Sequence, residues 1–150
     1  MKLLKFKSTI LLGLSVLLLS FTVWQPDFET AQKLAQERNQ PILVNFSGSD
    51  WCGPCIRMKK EIFSNEAFSK MADTTLVMVN ADFPRNKKNQ LNRELRAQNE
   101  QLADKYNPEG KFPYTVLLSA NGTVIRSWEG LPYETAAEFA LSIKKICDGY

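Results

Sequence analysis

The sequence predicts an α/β fold in which one mixed sheet is covered by helices on both faces. Three observations predict it. Helical and strand patterns alternate from Asp27 to Tyr106, the strand runs among them are largely apolar, as buried strands are, and two strands then follow in direct succession before a last helix. A chain of 150 residues with 44% apolar and 23% charged residues has room for one such domain and its core. The domain is expected over residues 27–150, with residues 1–26 standing apart from it.

Each element has its own signal. "DFETAQKLAQERN", from Asp27 to Asn39, spaces Phe28, Ala31, Leu34 and Ala35 as a helix does and stops ahead of Pro41. "PILVNFS" is a branched, apolar run closed by a Ser-Gly-Ser turn, which makes it a buried strand. From Pro54 to Ile62 the pattern is helical, with a further short helical turn from Asn65 to about Ala72. "TLVMVNA" is a second buried strand, ending at Ala81. The polar segment "DFPRNKKNQ" carries Arg85, Lys87 and Lys88 and reads either as a solvated loop or as a docking patch. "LNRELRAQNEQLADKY" places Leu91, Leu95, Gln98 and Leu102 along one side of a long polar helix. "PYTVLLSANGTVIRSWEG" has two strands joined across Asn121-Gly122, a strong hairpin signal. Glu134 to Cys147 gathers Ala136, Phe139, Ala140, Ile143 and Ile146 on one face of the last helix.

The formal charge of +3 is not spread over this domain. Lys2, Lys5 and Lys7 precede the first acidic residue, Asp27, and setting them aside leaves 16 basic against 16 acidic residues. The basic excess belongs to the N-terminus, and no nucleic-acid partner is inferred. After those lysines comes an uncharged, largely apolar run from Ser8 to Trp24, apolar all round and so unlike the helix of a soluble core. It reads as an export signal, either cleaved or kept as a membrane anchor through residues 8–24. Both versions put the rest of the chain outside the cytoplasm, where disulfides persist.

"SGSDWCGPCIRMKK" sets Cys52 and Cys55 two residues apart where a strand gives way to a helix. Three readings compete. A closed zinc site needs four ligands, and this chain has no histidine and only Cys147 besides the pair, so no metal is expected. A structural staple closing so short a loop removes little unfolded-chain entropy. A redox pair explains the neighbours better. At the start of a helix the Cys52 sulfur meets unpaired N–H groups and the positive end of the dipole, which favour the exposed thiolate. Pro54 suits a helix start, Gly53 lets another backbone approach, and Cys55, one turn on and more buried, is placed to attack a mixed disulfide at Cys52. Trp51 offers a flat apolar rim. Cys147 reads as a small apolar spectator on its helix, with an intermolecular disulfide as its functional alternative.

"WCGPC" after a buried strand resembles the active site of the thioredoxin family, and the resemblance runs from about Ala31 to Ile146. It implies a thioredoxin-like fold and a thiol–disulfide oxidoreductase in which Cys52 attacks and Cys55 resolves, with no cofactor. "KFPYTVLL" resembles the family's cis-proline segment, which would make Pro113 the cis residue facing the cysteines, with Phe112 before it. Gly130 matches the glycine bordering the family's substrate groove, so Trp51, Gly53, Pro54, Phe112, Pro113 and Gly130 are the expected substrate surface. "SGSDWCGPCIRMKKEIF" and the later "DFPR" further resemble exported bacterial thioredoxin-like proteins, which implies a periplasmic setting. The Gly-Pro pair is similar to that of reducing thioredoxins. A reductant there implies protein or small-molecule disulfides as substrates and a membrane-embedded thiol carrier as electron donor. A non-catalytic peptide-binding module with permanently paired cysteines is the rival reading.

Three positions depart from the family's pattern. Asn45 stands where a buried aspartate is thought to take the proton from the second cysteine, and an amide cannot take it. One extra residue brings Asp50 close to Cys52, where its charge is expected to disfavour the thiolate. Ile56 replaces a lysine often found after the second cysteine.

Overall fold

The computed structural model describes residues 24–149. The apolar run that begins at Ser8 therefore lies, apart from Trp24, outside the described residues, and among those described no helix is long and apolar enough to cross a membrane. The elements are β1 (Trp24–Gln25), α1 (Phe28–Arg38), β2 (Ile42–Ser47), α2 (Gly53–Arg57) running on into a π-helical segment (Met58–Phe63), α3 (Glu66–Thr75), β3 (Val77–Asp82), a 3₁₀ turn (Lys87–Asn89), α4 (Arg93–Tyr106), β4 (Tyr114–Leu118), β5 (Val124–Glu129) and α5 (Ala136–Asp148).

The helices begin where short polar side chains can take an unpaired N–H. Asp27 accepts from Thr30 N, Asn65 from Ala67 N and Asn92 from Leu95 N, while Thr135 and Glu138 form a reciprocal capping box on α5. α1 closes on Asn39 in the left-handed region, at φ 52°. α3 runs to Thr75, into the stretch that the sequence assigns to a strand. Thr74 Oγ1 bonds back to the Met71 carbonyl at 3.2 Å, which lets a branched residue stay helical.

The five strands lie in the order β1-β3-β2-β4-β5. β2 is central, parallel to β3 in the register Asn45 to Asn80 and antiparallel to β4 in the register Asn45 to Thr115. The alternation of β2 divides the core in two. Ile42, Val44 and Phe46 face a layer with Ala31, Ala35, Leu102 and Tyr106, from α1 and α4. Leu43 faces the other layer with Met58, Phe68, Phe139 and Ile143, from the π-helical segment, α3 and α5. β1 was not expected: Trp24 and Gln25 pair in parallel with Met78 and Val79, so the sheet takes in residues that the sequence reading places with the N-terminal segment. The hairpin loop is wider than a two-residue turn, with Leu118 paired to Val124, and its tip is pinned by the Tyr106 hydroxyl, which donates to the Gly122 carbonyl at 2.8 Å.

Candidate active site

The cysteine pair sits just beyond the C-terminal end of β2, where open α/β sheets place their sites. A tight turn delivers it: Cys52 N–H donates to the Gly48 carbonyl at 2.9 Å. Gly48 has to be glycine because the Trp51 indole occupies the space where a Cβ would stand. Cys52 is the N-cap of α2, with extended backbone, and Pro54 occupies the first turn. The two sulfurs are bonded, and Cys52 Sγ also accepts the N–H of Cys55 at 3.3 Å. Exposure hardly separates the pair, at 5% for Cys52 and 3% for Cys55, contrary to the expectation of an exposed first cysteine. Capping does separate them, because only the Cys52 sulfur takes a helix N–H. Gly53 and Pro54 are exposed, and nothing lies within 4 Å of a Cβ built on Gly53.

Phe112 meets Trp51 edge-on with ring centroids 5.4 Å apart, and the Phe112–Pro113 peptide bond is cis. Gly130, at φ 76°, donates its N–H to the Pro113 carbonyl at 2.9 Å. Trp51, which adjoins Cys52 in the chain, is thus linked through Phe112 and Pro113 to Gly130.

The segment 82–90 is neither a free loop nor a detached patch; it is folded onto the residues before Cys52. Phe83 N–H donates to the Ser47 carbonyl at 2.8 Å, Ser49 N–H to Asp82 Oδ1 at 2.9 Å, and the Trp51 indole N–H to the Phe83 carbonyl at 2.7 Å. Asp50 closes the clamp. Its carboxylate accepts the N–H groups of Arg85 and Asn86, both at 2.9 Å, and the amide of Asn89 at 3.0 Å. The hydrogen bond from Arg85, followed by that from Asn89, holds the Asp50 carboxyl below its ordinary range. The carboxylate thus holds the segment as well as standing two residues before Cys52. Arg85 lies over the Trp51 ring, 3.8 Å from the centroid, so that ring is not the bare apolar rim expected. Two sequence signals pointed here without being joined: the extra residue Asp50 and the "DFPR" run are the two halves of one clamp.

On the far side of the pair, Cys55 opens on a cavity of about 290 Å³ shared with Asn45, Ser47, Lys59 and Asn80 and walled by Trp24 and Phe63. Asn45 is buried, donates to Asn80 Oδ1 at 2.9 Å and accepts from the Thr115 hydroxyl at 3.4 Å. Among the described residues no carboxylate lines this cavity. Cys147 lies at the opposite end of the sheet, beside Pro41 and Asn121, as a free thiol whose pKa burial pushes up. Among the described residues no group of three or more His, Cys, Asp or Glu side chains gathers as a metal site.

Comparison with known proteins adds three findings. Residues 23–120 match a family model described as thioredoxin-like. The chain is 33% identical over 127 residues to the thioredoxin-related protein DsbJ of Chlamydia pneumoniae, covering 79% of this chain and 36% of that protein. It is 36% identical over 99 residues to the disulfide bond reductase DsbH of the same organism, covering 66% of this chain and 57% of the relative. It thus spans about a third and somewhat over half of their lengths. A solved structure titled DsbH oxidoreductase superposes with a TM-score of 0.78 at 28% identity, covering 85% of each chain.

Proposed function

Because the chain belongs to the thioredoxin-like family, we propose that it is a thiol–disulfide oxidoreductase working through Cys52 and Cys55, and that it runs as a reductant outside the cytoplasm. The observation that carries this reading is the capped sulfur. Cys52 Sγ takes the N–H of Cys55 at the first turn of α2, and the same donor is there for a thiolate once the disulfide is reduced. In the reduced protein the Cys52 thiolate attacks one sulfur of a substrate disulfide, forming a mixed disulfide and releasing one substrate thiolate. Cys55 then loses its proton and attacks Cys52 Sγ. The second substrate thiol leaves, two electrons have passed to the substrate, and the Cys52–Cys55 bond has formed.

The finer parts rest on supporting signals. The Gly-Pro pair and the similarity to a protein named disulfide bond reductase support the reducing direction. The apolar run from Ser8 supports export, as a cleaved signal or an anchor. A reductant in an oxidising compartment has to be recharged, and a membrane-embedded thiol carrier is the donor that fits. Trp51, Gly53, Pro54, Phe112, Pro113 and Gly130 present the surface for protein or small-molecule disulfides.

Trapping tests the assignment. Cys55→Ser is expected to accumulate mixed disulfides with substrate on non-reducing gels, and Cys52→Ser is expected to accumulate none. Complexes held through Cys55 would reverse the roles, and complexes from neither variant would favour a binding module with permanently paired cysteines.

A further inference from the structure

A second concavity beside the disulfide has no part in the exchange chemistry. It is a cleft of about 330 Å³ between the 82–90 segment and α4, and it shares Trp51 and Phe112 with the site. Its wall is aromatic, with Phe83 meeting Phe112 edge-on at 5.5 Å, and Arg85, Arg96 and Glu100 also line it. Among the described residues neither arginine has a carboxylate within ion-pair distance. Arg96 and Glu100 stand four residues apart on α4, the spacing at which Lys33–Glu29, Arg57–Glu61, Lys70–Glu66 and Lys144–Asp148 all pair, yet these two do not.

The other carboxylates nearby are engaged. Asp82, which also lines the cleft, receives the N–H and hydroxyl of Ser49, and Asp50 receives three donors from the 82–90 segment. Arg85 lies over Trp51 with its guanidinium carbon 3.8 Å from the ring centroid, and it is exposed and without an ion-pair partner among the described residues, so its N–H groups are free to take a carboxylate.

We propose that this cleft selects disulfide substrates by an acidic residue next to the reacting cysteine, with Arg85 and Arg96 receiving its carboxylate and Phe83 and Phe112 covering the adjoining apolar surface. The proposal rests on the oxidoreductase reading. Glu100 opposes the selection and sets its limit.

Three disulfide-linked peptides, alike except for Glu, Gln or Lys on both sides of the cysteine, test it with the reduced protein. The Glu peptide is expected to be reduced about tenfold faster than the Lys peptide at low ionic strength. The ratio shrinks as salt is added. Arg96→Gln and Arg85→Gln lower the ratio, and Glu100→Gln raises it, whereas a merely structural role would not move it in opposite directions. Arg96 and Glu100 are exposed on α4, so folding does not cloud those two variants. Equal rates for all three peptides, or one ratio in every variant, would overturn the selection and leave the oxidoreductase standing. Failure to reduce any peptide would overturn both.

Discussion

Before Cys55 can attack a mixed disulfide its thiol has to give up a proton, and Asn45, which lines the same cavity, has no base to take it. Asn45 instead links the sheet, donating to Asn80 and accepting from Thr115. Water entering the cavity is left to take the proton. Resolution at Cys52 is therefore expected to be slow near neutral pH. Asn45→Asp restores a carboxylate that Thr115 and a flipped Asn80 amide can both hydrogen-bond, and it is expected to raise the rate of resolution roughly tenfold or more. The gain shrinks toward alkaline pH, where hydroxide removes the proton unaided. Stopped-flow release from Cys52 in both variants over the neutral to alkaline range measures it. Superimposable rates and pH profiles would remove Asn45 from the chemistry.

At the scale of elements, the 82–90 segment owes its place to Asp50, whose carboxyl is held below its ordinary value of 3.8. A carboxylate with a depressed folded-state pKa contributes its stabilisation in full above the unfolded value and loses it as pH falls through the folded one. The clamp is thus expected to hold above about pH 4 and to open in stronger acid. In Asp50→Ala the Arg85 and Asn86 amides are expected to exchange with solvent faster above about pH 4 and at the wild-type rate in stronger acid, read by hydrogen exchange. Unchanged protection would mean that the other bonds to this segment suffice. Most elements were legible because each carries a local signature: the period of Phe139, Ala140 and Ile143 on α5, the apolar run of β2, the Asn121-Gly122 tip. The clamp was not legible in the same way. Asp50 and Arg85 are 35 residues apart and meet only through the pairing of β2 with β3. β1 was missed for a different reason, because its two residues sit at the end of a run already explained by export.

Across the whole molecule, β1 ties the edge of the sheet to the site. Trp24 packs edge-on against Phe63, with centroids 5.2 Å apart, and walls the cavity on which Cys55 opens. A signal cut that preserves this edge has to fall before Trp24. A chain starting at Asp27 is expected to melt several degrees below one starting at Val23, since an aromatic pair contributes about 0.5–1.5 kcal/mol beyond its burial. Equal melting temperatures would show β1 to be dispensable. The central claim, that Cys52 and Cys55 form an exchanging pair rather than a staple, is tested most directly by the reduction potential of the protein equilibrated with dithiothreitol and glutathione couples. An exchanging pair gives a reversible two-electron transition between about −270 and −180 mV, and a reductant lies toward the lower end. A disulfide that stays closed until below about −300 mV would be structural, and would contradict it.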